Sequence, residues 1–269
     1  MGNREKAELG MTIKTALITG STSGIGLAIA QRLARDGVQV MLNGLEPDSV
    51  GRELAASMEA SYGVKAHYCY ADLSDPQQIV KLFQCLGDKF NSIDILINNA
   101  GIQFTAPTEE FPTEKWDQIL AVNLTSAFHT TRLALPHFKQ AGWGRIINIA
   151  SVHGFVGSVN KSAYCAAKHG LVGLTKVVAL ENADAGITAN CICPGWTDTP
   201  ILNQQISELA QQKSLSIERA TASLVQSKQP YPSLIEPSAI AELVMFLCSE
   251  AASALTGASI PIDGAWTAQ

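Results

Sequence analysis

TALITGSTSGIG, residues 15–26, is the stretch that decides the fold. A short apolar run is followed at once by Gly20, Gly24 and Gly26, and apolar residues at helical spacing begin there. In a strand–turn–helix unit, the first glycine permits the tight turn, and the other two let the backbone approach a pyrophosphate and let helix and strand pack closely. The helix N-terminus adds N–H donors and the positive end of its dipole. The stretch therefore predicts a dinucleotide phosphate site, with a plain glycine turn as the alternative.

The same alternation of strand and helix continues along the chain. Short β-branched runs predict strands at 15–19, 38–42, 66–71, 93–97, 145–150, 187–193 and 259–262. Helical periodicity predicts helices at 24–36, 53–62, 115–138, 162–180 and 236–249, and Ser74-Asp75-Pro76 opens another. Because such alternation builds βαβ units, we predict an α/β fold, a single Rossmann-type doubly wound parallel sheet with helices on both faces.

Two segments fall outside this alternation. Residues 1–11 are polar and charged and predict a flexible lead-in, which leaves a single Rossmann-fold domain at residues 12–269. Residues 200–231 are rich in Gln and Ser, are bounded by prolines, and form a helical excursion before the closing helix. We expect this excursion to be a lid over a substrate site, and a passive surface hairpin is the alternative.

The composition narrows the classes of function. The chain has 269 residues, 46% of them apolar and 16% charged, with a net charge of −5. A nucleic-acid binder needs a basic face, so we expect no nucleic-acid partner. No apolar run suits a membrane span, the N-terminus lacks the apolar core of a secretory signal, and cysteines are sparse, so we expect a cytoplasmic protein. Cys191 and Cys193 have no second pair at metal spacing, and we expect buried thiols and no metal.

Four polar residues carry the candidate chemistry. Tyr164 and Lys168 are spaced i, i+4 on a predicted helix and share one face, Ser151 comes at the end of the strand RIINIA, and Asn123 lies inside the helix at 115–138. A Y-x-x-x-K pair alone is usually a solvated helix face. Together with the glycine turn and with NNAG at 98–101, these residues resemble the short-chain dehydrogenase/reductase family, over essentially the whole chain from about residue 12.

The resemblance implies a hydride-transferring oxidoreductase in which Tyr164 is the general base and acid. A tyrosine has an ordinary pKa of about 10, and bringing it near 7 requires about 4 kcal/mol of phenolate stabilisation, which Lys168 and a nicotinium charge can supply. The family implies that Lys168 also grips the nicotinamide ribose, that Ser151 holds the substrate oxygen, and that Asn123 keeps a water in a proton relay. It further implies a cofactor groove made by Gly20, Thr22, Ser23, Gly24, Ile25, Gly26, Leu45, Asp72, Leu73, Asn99, Ala100, Gly101, Tyr164, Lys168, Pro194, Gly195 and Thr199.

The residues after the second predicted strand bear on the choice of dinucleotide. A 2′-phosphate needs a basic partner, whereas a free ribose needs a hydrogen-bond acceptor. Neither the glycine turn nor the segment Asn43-Gly44-Leu45-Glu46 contains Lys or Arg, so we predict NAD rather than NADP. The usual acidic residue is absent from the strand end, where Asn43 stands, and Glu46 comes a little later.

Donor side chains near the catalytic helix predict the substrate class. Gln103, His153 and Lys161 lie just beyond a strand or just before that helix, where ligands of such sheets bind, and together they suit a small carboxylate. Taken singly, Lys161 could be solvated and His153 a satisfied loop residue. Gln205 could add a donor from the lid, and two tryptophans could wall a methyl end. The predicted substrate site is Gln103, Ser151, His153, Lys161, Tyr164, Trp196, Gln205 and Trp266.

Longer stretches narrow the resemblance to one branch of the family. The sequence at 158–181, GIQFTAPTEEFP at 101–112, SVHG, CPGW, KQP at 228–230 and GAWTA near the C-terminus are similar to the branch that interconverts (R)-3-hydroxybutyrate and acetoacetate. The family also implies a homotetramer that packs the helices at 115–138 and 162–180 against a neighbour. The alternatives are another NAD(P)-linked member such as a 3-oxoacyl reductase, whose neutral thioester gives Lys161 nothing to pair with, and a non-catalytic nucleotide-sensing module.

Overall fold

One parallel sheet organises the computed structural model, which describes residues 13–268. Its strands are β1 (Thr15–Ile18), β2 (Gln39–Gly44), β3 (Ala66–Tyr70), β4 (Ile95–Asn98), β5 (Gly144–Ile149), β6 (Ile187–Pro194) and β7 (Ser259–Ile262). Within the described residues the strand order is β3-β2-β1-β4-β5-β6-β7, and every neighbouring pair is parallel. The chain reverses its direction of winding between β1 and β4, which is where ligands of such sheets bind.

Helices cover both faces of this sheet. They are α1 (Gly24–Arg35), α2 (Asp48–Tyr62), α3 (Pro76–Phe90), α4 (Thr113–Leu120), α5 (Ser126–Ala141), α6 (Ser162–Asn182), α7 (Pro200–Lys213), α8 (Ile217–Gln226) and α9 (Pro237–Cys248). Successive strand residues point to opposite faces, so Ile18 packs in the cluster that contains α1, α2 and α9, while Leu17 packs with α3, α5 and α6. The predicted doubly wound α/β fold is confirmed.

Two predicted helices differ in their extent. Helix α2 begins at Asp48 rather than at residue 53 and includes Gly51, where any Cβ would collide with the Tyr68 ring. The predicted helix at 115–138 is interrupted by a π-helical turn, Ala121–Thr125, between α4 and α5. A π turn inserts one residue into the helical repeat, and apolar spacing at 3.6 residues per turn does not reveal it.

The excursion at 200–231 is helical, as predicted. Thr199 caps α7 by accepting a hydrogen bond from the backbone N–H of Leu202, and Ser214 in the left-handed conformation (φ 51°) turns the chain into α8. The two helices enclose a small apolar cluster of their own around Leu202 and Ala220, separate from the clusters on the sheet. The segment is therefore a distinct packing unit beside the carboxyl ends of the strands.

The predicted lead-in at residues 1–11 lies outside the described residues. In the part of the chain that the structure describes, no helix is both long and apolar enough to cross a membrane. The same part contains no cluster of three His, Cys, Asp or Glu side chains arranged to hold a metal ion.

Candidate active site

A groove of about 450 Å³ opens at the carboxyl ends of the strands, beside α7. It brings together almost all of the residues predicted for the site. Those that line it are Gly20, Thr22, Ser23, Gly24, Ile25, Leu45, Asp72, Leu73, Asn99, Ala100, Gly101, Gln103, Ser151, His153, Lys161, Tyr164, Lys168, Pro194, Gly195, Trp196, Thr199, Gln205 and Trp266. Gly26 and Asn123 are the predicted residues that do not line it. Residues that line it without having been predicted include Glu46, Ile102, Gln118, Val122 and Ile201.

The glycine turn has the geometry of a phosphate cradle. Gly20 and Gly24 have positive φ angles of 58° and 53°, which favour glycine. A Cβ at Gly26 would collide with the carbonyl oxygen of Gly20, so this glycine serves the close packing of turn and helix. The Asn99 side chain fixes the turn by donating to the carbonyl oxygens of Thr19 and Gly20 at 2.9 Å each. The N-terminus of α1 therefore faces an open space that could hold a pyrophosphate.

An acidic residue is usual at the end of β2, and the structure shows what Asn43 and Glu46 do there instead. Asn43 is buried, and its side chain is occupied by the protein, because it accepts from the N–H of Gly20 at 3.4 Å and donates to the carbonyls of Cys69 and Ala71. Glu46 lines the groove, and its Oε2 atom is buried without a hydrogen-bond partner among the described residues. Glu46 therefore offers a free acceptor at this end of the groove. Its acidic type was the available signal, but it lies two residues beyond the strand.

Helix α6, which carries Tyr164 and Lys168, is held against the sheet by buried hydrogen bonds. Asn148 on β5 donates to Thr175 Oγ1 at 2.7 Å, and Thr175 donates to the carbonyl oxygen of Leu171 at 2.7 Å. Asn98 on β4 donates to Asn148 Oδ1 at 2.8 Å. This chain of contacts links β4, β5 and α6, so the end of β5 and the helix that bears Tyr164 keep a fixed relation.

Tyr164, Lys168 and Ser151 meet in the middle of the groove. Tyr164 is hydrogen-bonded to Ser151, and Lys168 Nζ lies 5.6 Å from the centre of the Tyr164 ring while donating to the carbonyl oxygen of Ile149 at 2.8 Å. Burial raises the pKa of Tyr164 to about 12, and the hydrogen bond with Ser151 acts in the opposite direction. Burial lowers the pKa of Lys168 to about 8. In the protein alone, burial therefore favours the protonated phenol of Tyr164.

Asn123 lies in the π turn, outside the groove, and its side chain forms hydrogen bonds with a residue of the groove wall. Its side chain is buried, accepts from the backbone N–H of Ile102 at 2.9 Å and donates to the carbonyl oxygen of the same residue at 2.9 Å. Ile102 belongs to the groove wall. A β carbon added at Gly101 would lie 3.6 Å from Asn123 Oδ1 and 3.7 Å from Lys168 Nζ, so the two side chains approach the same point. π turns of this kind occur frequently at functional sites.

A cation and aromatic rings form the end of the groove near Tyr164. Lys161 is only 9% exposed, and no Asp or Glu among the described residues lies within 4.0 Å of it. Burial lowers its pKa. The Trp196 ring centre is 5.3 Å from Lys161 Nζ and 5.1 Å from that of Trp266. Lys161 is therefore buried, which rules out the alternative that it is an ordinary solvated lysine.

His153 lies between the phenol and the aromatic rings. Its ring centre is 6.0 Å from that of Tyr164 and 5.6 Å from that of Trp266. Burial, and then the charge of Lys161, lowers the pKa of His153 to about 4, so the ring is neutral near pH 7. His153 Nδ1 and Trp196 Nε1 are buried without hydrogen-bond partners among the described residues. These two unpartnered nitrogens, together with the buried ammonium of Lys161, could bind a ligand that has several acceptor oxygens.

A parallel sheet with a phosphate cradle and a Ser–Tyr–Lys centre defines the class, an oxidoreductase of the Rossmann type. The chain belongs to the short chain dehydrogenase family, whose model matches residues 14–210. It is 51% identical over 257 residues to a D-beta-hydroxybutyrate dehydrogenase of Cupriavidus necator, covering 95% of this chain and 98% of the relative. It is 47% identical to a protein of the same name from Rhizobium meliloti, covering 95% and 99%. Among solved structures, an actinorhodin polyketide ketoreductase with NADPH superposes with a TM-score of 0.88 at 34% identity, covering 94% and 97%.

Proposed function

We propose that this protein oxidises (R)-3-hydroxybutyrate to acetoacetate with NAD⁺, and that it catalyses the reverse reduction. The carbinol carbon would lose a hydride to the bound cofactor, and its hydroxyl would lose a proton to the phenolate of Tyr164, which leaves the ketone. The names of the two relatives at 51% and 47% identity support this substrate. The same binding site would serve both directions.

The observation that carries the proposal is the buried Lys161 beside Tyr164. A lysine that is 9% exposed and has no acidic partner nearby is costly to bury, unless an anion binds there. A small carboxylate would supply that anion, and the unpartnered Nδ1 of His153 and Nε1 of Trp196 offer further hydrogen bonds. A 3-oxoacyl thioester, the substrate of the runner-up activity, has no charge at this position.

The residues at the other end of the groove fit NAD. The turn at Gly20 and Gly24 leaves room for the pyrophosphate at the start of α1. The buried Oε2 of Glu46 has no partner within residues 13–268 and would accept a hydrogen bond from a ribose hydroxyl, whereas a 2′-phosphate there would meet a like charge. Bound NAD⁺ supplies the acceptor for the hydride.

The chain's own residues would perform the proton transfer. Ser151 would hold the substrate hydroxyl, and Tyr164, as the phenolate, would take its proton as general base. Lys168, fixed by the Ile149 carbonyl, would place a positive charge near this phenolate and stabilise it before the transfer. Asn123 would hold the wall at Ile102 and the proton path behind Lys168.

We also propose a homotetramer in the cytoplasm. The helices expected to pack against a neighbour expose large apolar side chains, with Phe128 on α5 47% exposed and Leu180 on α6 83% exposed. Such a face is typical of subunit interfaces. The six free thiols support a reducing compartment.

The test is a substrate panel with NAD⁺, followed by NADH absorbance. It contains (R)-3-hydroxybutyrate, its (S)-enantiomer, its methyl ester and a 3-hydroxyacyl thioester. We expect turnover of the (R)-acid and at most weak turnover of the others. A preference for the thioester, or no oxidation of the (R)-acid, would overturn the proposal.

A further inference from the structure

Gln229 is a buried amide at the end of the helical excursion, after α8. It is only 1% exposed. Its Oε1 accepts from the backbone N–H of Trp196 at 3.2 Å, and its Nε2 donates to the carbonyl oxygens of Tyr231 at 3.2 Å and Ser233 at 2.6 Å. A buried side chain with its acceptor and both donors used is strongly fixed.

These bonds join segments that are far apart in sequence. The backbone of Trp196 accepts from the N–H of Ile235 at 2.7 Å, so the segment after β6 pairs with the segment that returns from α8. The N–H of Tyr231 donates to the carbonyl oxygen of Gly264 at 3.0 Å, which adds the C-terminal segment. A Cβ at Gly264 would lie 2.6 Å from Cγ of Gln229, so the glycine makes room for this side chain.

The same segments carry the aromatic wall of the groove. Trp196 receives the Gln229 bond directly, and Trp266 follows Gly264 by two residues. Their ring centres are 5.1 Å apart, and both rings line the groove. Among the described residues that line the groove, Gln229 is absent, so it acts on the wall from outside.

We propose that Gln229 is a positioning residue that holds Trp196 and Trp266 at the spacing which admits a four-carbon hydroxy acid and excludes longer chains. This role rests on the proposed function and adds the element that sets chain length. The amide joins the segments that carry the two rings, so its removal lets these segments move apart. Loss of the amide therefore relaxes chain-length selection. Gln229 lies next to Gly195 but makes no hydrogen bond with the glycine turn or with Glu46, so the affinity for NAD⁺ should change less than the selection.

The test is Gln229→Met, which keeps the approximate volume and removes all three hydrogen bonds. The matched control is Gln226→Met, the same change on an exposed residue at the end of α8. kcat and KM are measured separately for 3-hydroxybutyrate and 3-hydroxypentanoate, with the Kd of NAD⁺ and the Tm. One methylene in an apolar pocket changes kcat/KM by about 10- to 200-fold, so we expect the preference for the shorter acid to fall at least about tenfold, mainly through KM.

The outcomes separate positioning from mere structural support. A lower Tm with an unchanged preference between the two acids would overturn the positioning role, and so would an equal effect of Gln226→Met. If Gln229→Met does not fold, Gln229→Asn keeps a polar amide but shortens the side chain by one methylene, so that it cannot reach all three partners in their present positions, and it is subject to the same criterion. A wild-type protein that oxidises neither acid would overturn the proposed function and this inference together, whereas a wild type that prefers the shorter acid leaves only Gln229 in question.

Discussion

Replacing Lys161 with alanine removes the buried cation at the substrate end of the groove. Because Lys161 is 9% exposed and has no acidic partner within 4.0 Å in the described part of the chain, its charge is available to a bound carboxylate. A hydrogen bond to a charged group contributes about 1.5–3 kcal/mol. At about 1.36 kcal/mol per tenfold, Lys161→Ala should lower kcat/KM for (R)-3-hydroxybutyrate by about 10- to 150-fold.

The assay is a double-mutant cycle in which the second change is made in the substrate. The acid and its methyl ester are each measured with the wild type and with Lys161→Ala, following NADH absorbance, and Lys213→Ala on the exposed end of α7 is the control. The ester should start low and change little, because it has no charge to lose. The coupling energy isolates the interaction between the ammonium and the carboxylate. A coupling energy near zero would refute the assignment of Lys161 to the carboxylate.

The pH dependence gives an independent check on the same pair. Burial lowers the pKa of Lys161 from its usual value of about 10.4. The free site therefore loses its charge at a lower pH than an ordinary lysine would, and binding an anion works against that loss. KM for the acid should rise as the pH increases toward the usual lysine pKa, and KM for the ester should stay level. A rise of equal size for both substrates would assign the effect to another group.

Three further predictions follow from the groove. Tyr164→Phe should lower kcat by about 10² to 10⁴ while NAD⁺ binding persists, and retention of more than about a tenth of the activity would contradict its role as base. Lys168→Met should change the pH dependence of stability. Burial depresses the Lys168 pKa to about 8, so the unfolded chain holds the extra proton between that pH and about 10.4. The wild-type unfolding free energy should therefore rise across this window relative to the variant, by up to about 3 kcal/mol. The measurement is the unfolding free energy of both proteins as a function of pH, and two parallel pH profiles would contradict the prediction. NAD⁺ should be preferred over NADP⁺ by at least about tenfold, or about 1.4 kcal/mol, and Glu46→Gln or Leu45→Arg should narrow the gap; equal use of both by the wild type would show that the segment after β2 does not discriminate.

The fold was predictable because its signals are local and agree with one another. The glycine turn at Gly20 needs only a strand before it and a helix after it, and apolar runs such as that of β5 suit a sheet covered on both faces. The spacing of Tyr164 and Lys168 on α6 was readable for the same reason. Each of these depends on residues within one or two turns of each other.

The features that could not be predicted from the sequence depend on contacts between distant segments. Asn123 lies in the π turn, and its side chain forms hydrogen bonds with the backbone of Ile102, twenty-one positions away. Asn43 stands at the usual acidic position, yet its side chain is taken by backbone groups of the neighbouring strand, and that leaves Glu46 as the acceptor. Such occupancy becomes visible only when the hydrogen bonds of both residues are counted.

Two buried lysines frame the groove, and their surroundings give them different tasks. The ammonium of Lys168 is held by the Ile149 carbonyl at 2.8 Å, so its charge stays fixed next to Tyr164. Lys161 has a tryptophan ring on one side and no acid within 4.0 Å among the described residues, so its charge remains uncompensated until an anion arrives. Burial lowers the pKa of both, because removing each cation from water disfavours its charged form. A substrate carboxylate would relieve that cost at one lysine, and a phenolate forming on Tyr164 would relieve it at the other. Binding and proton transfer would therefore each be favoured by a charge that the fold has already placed.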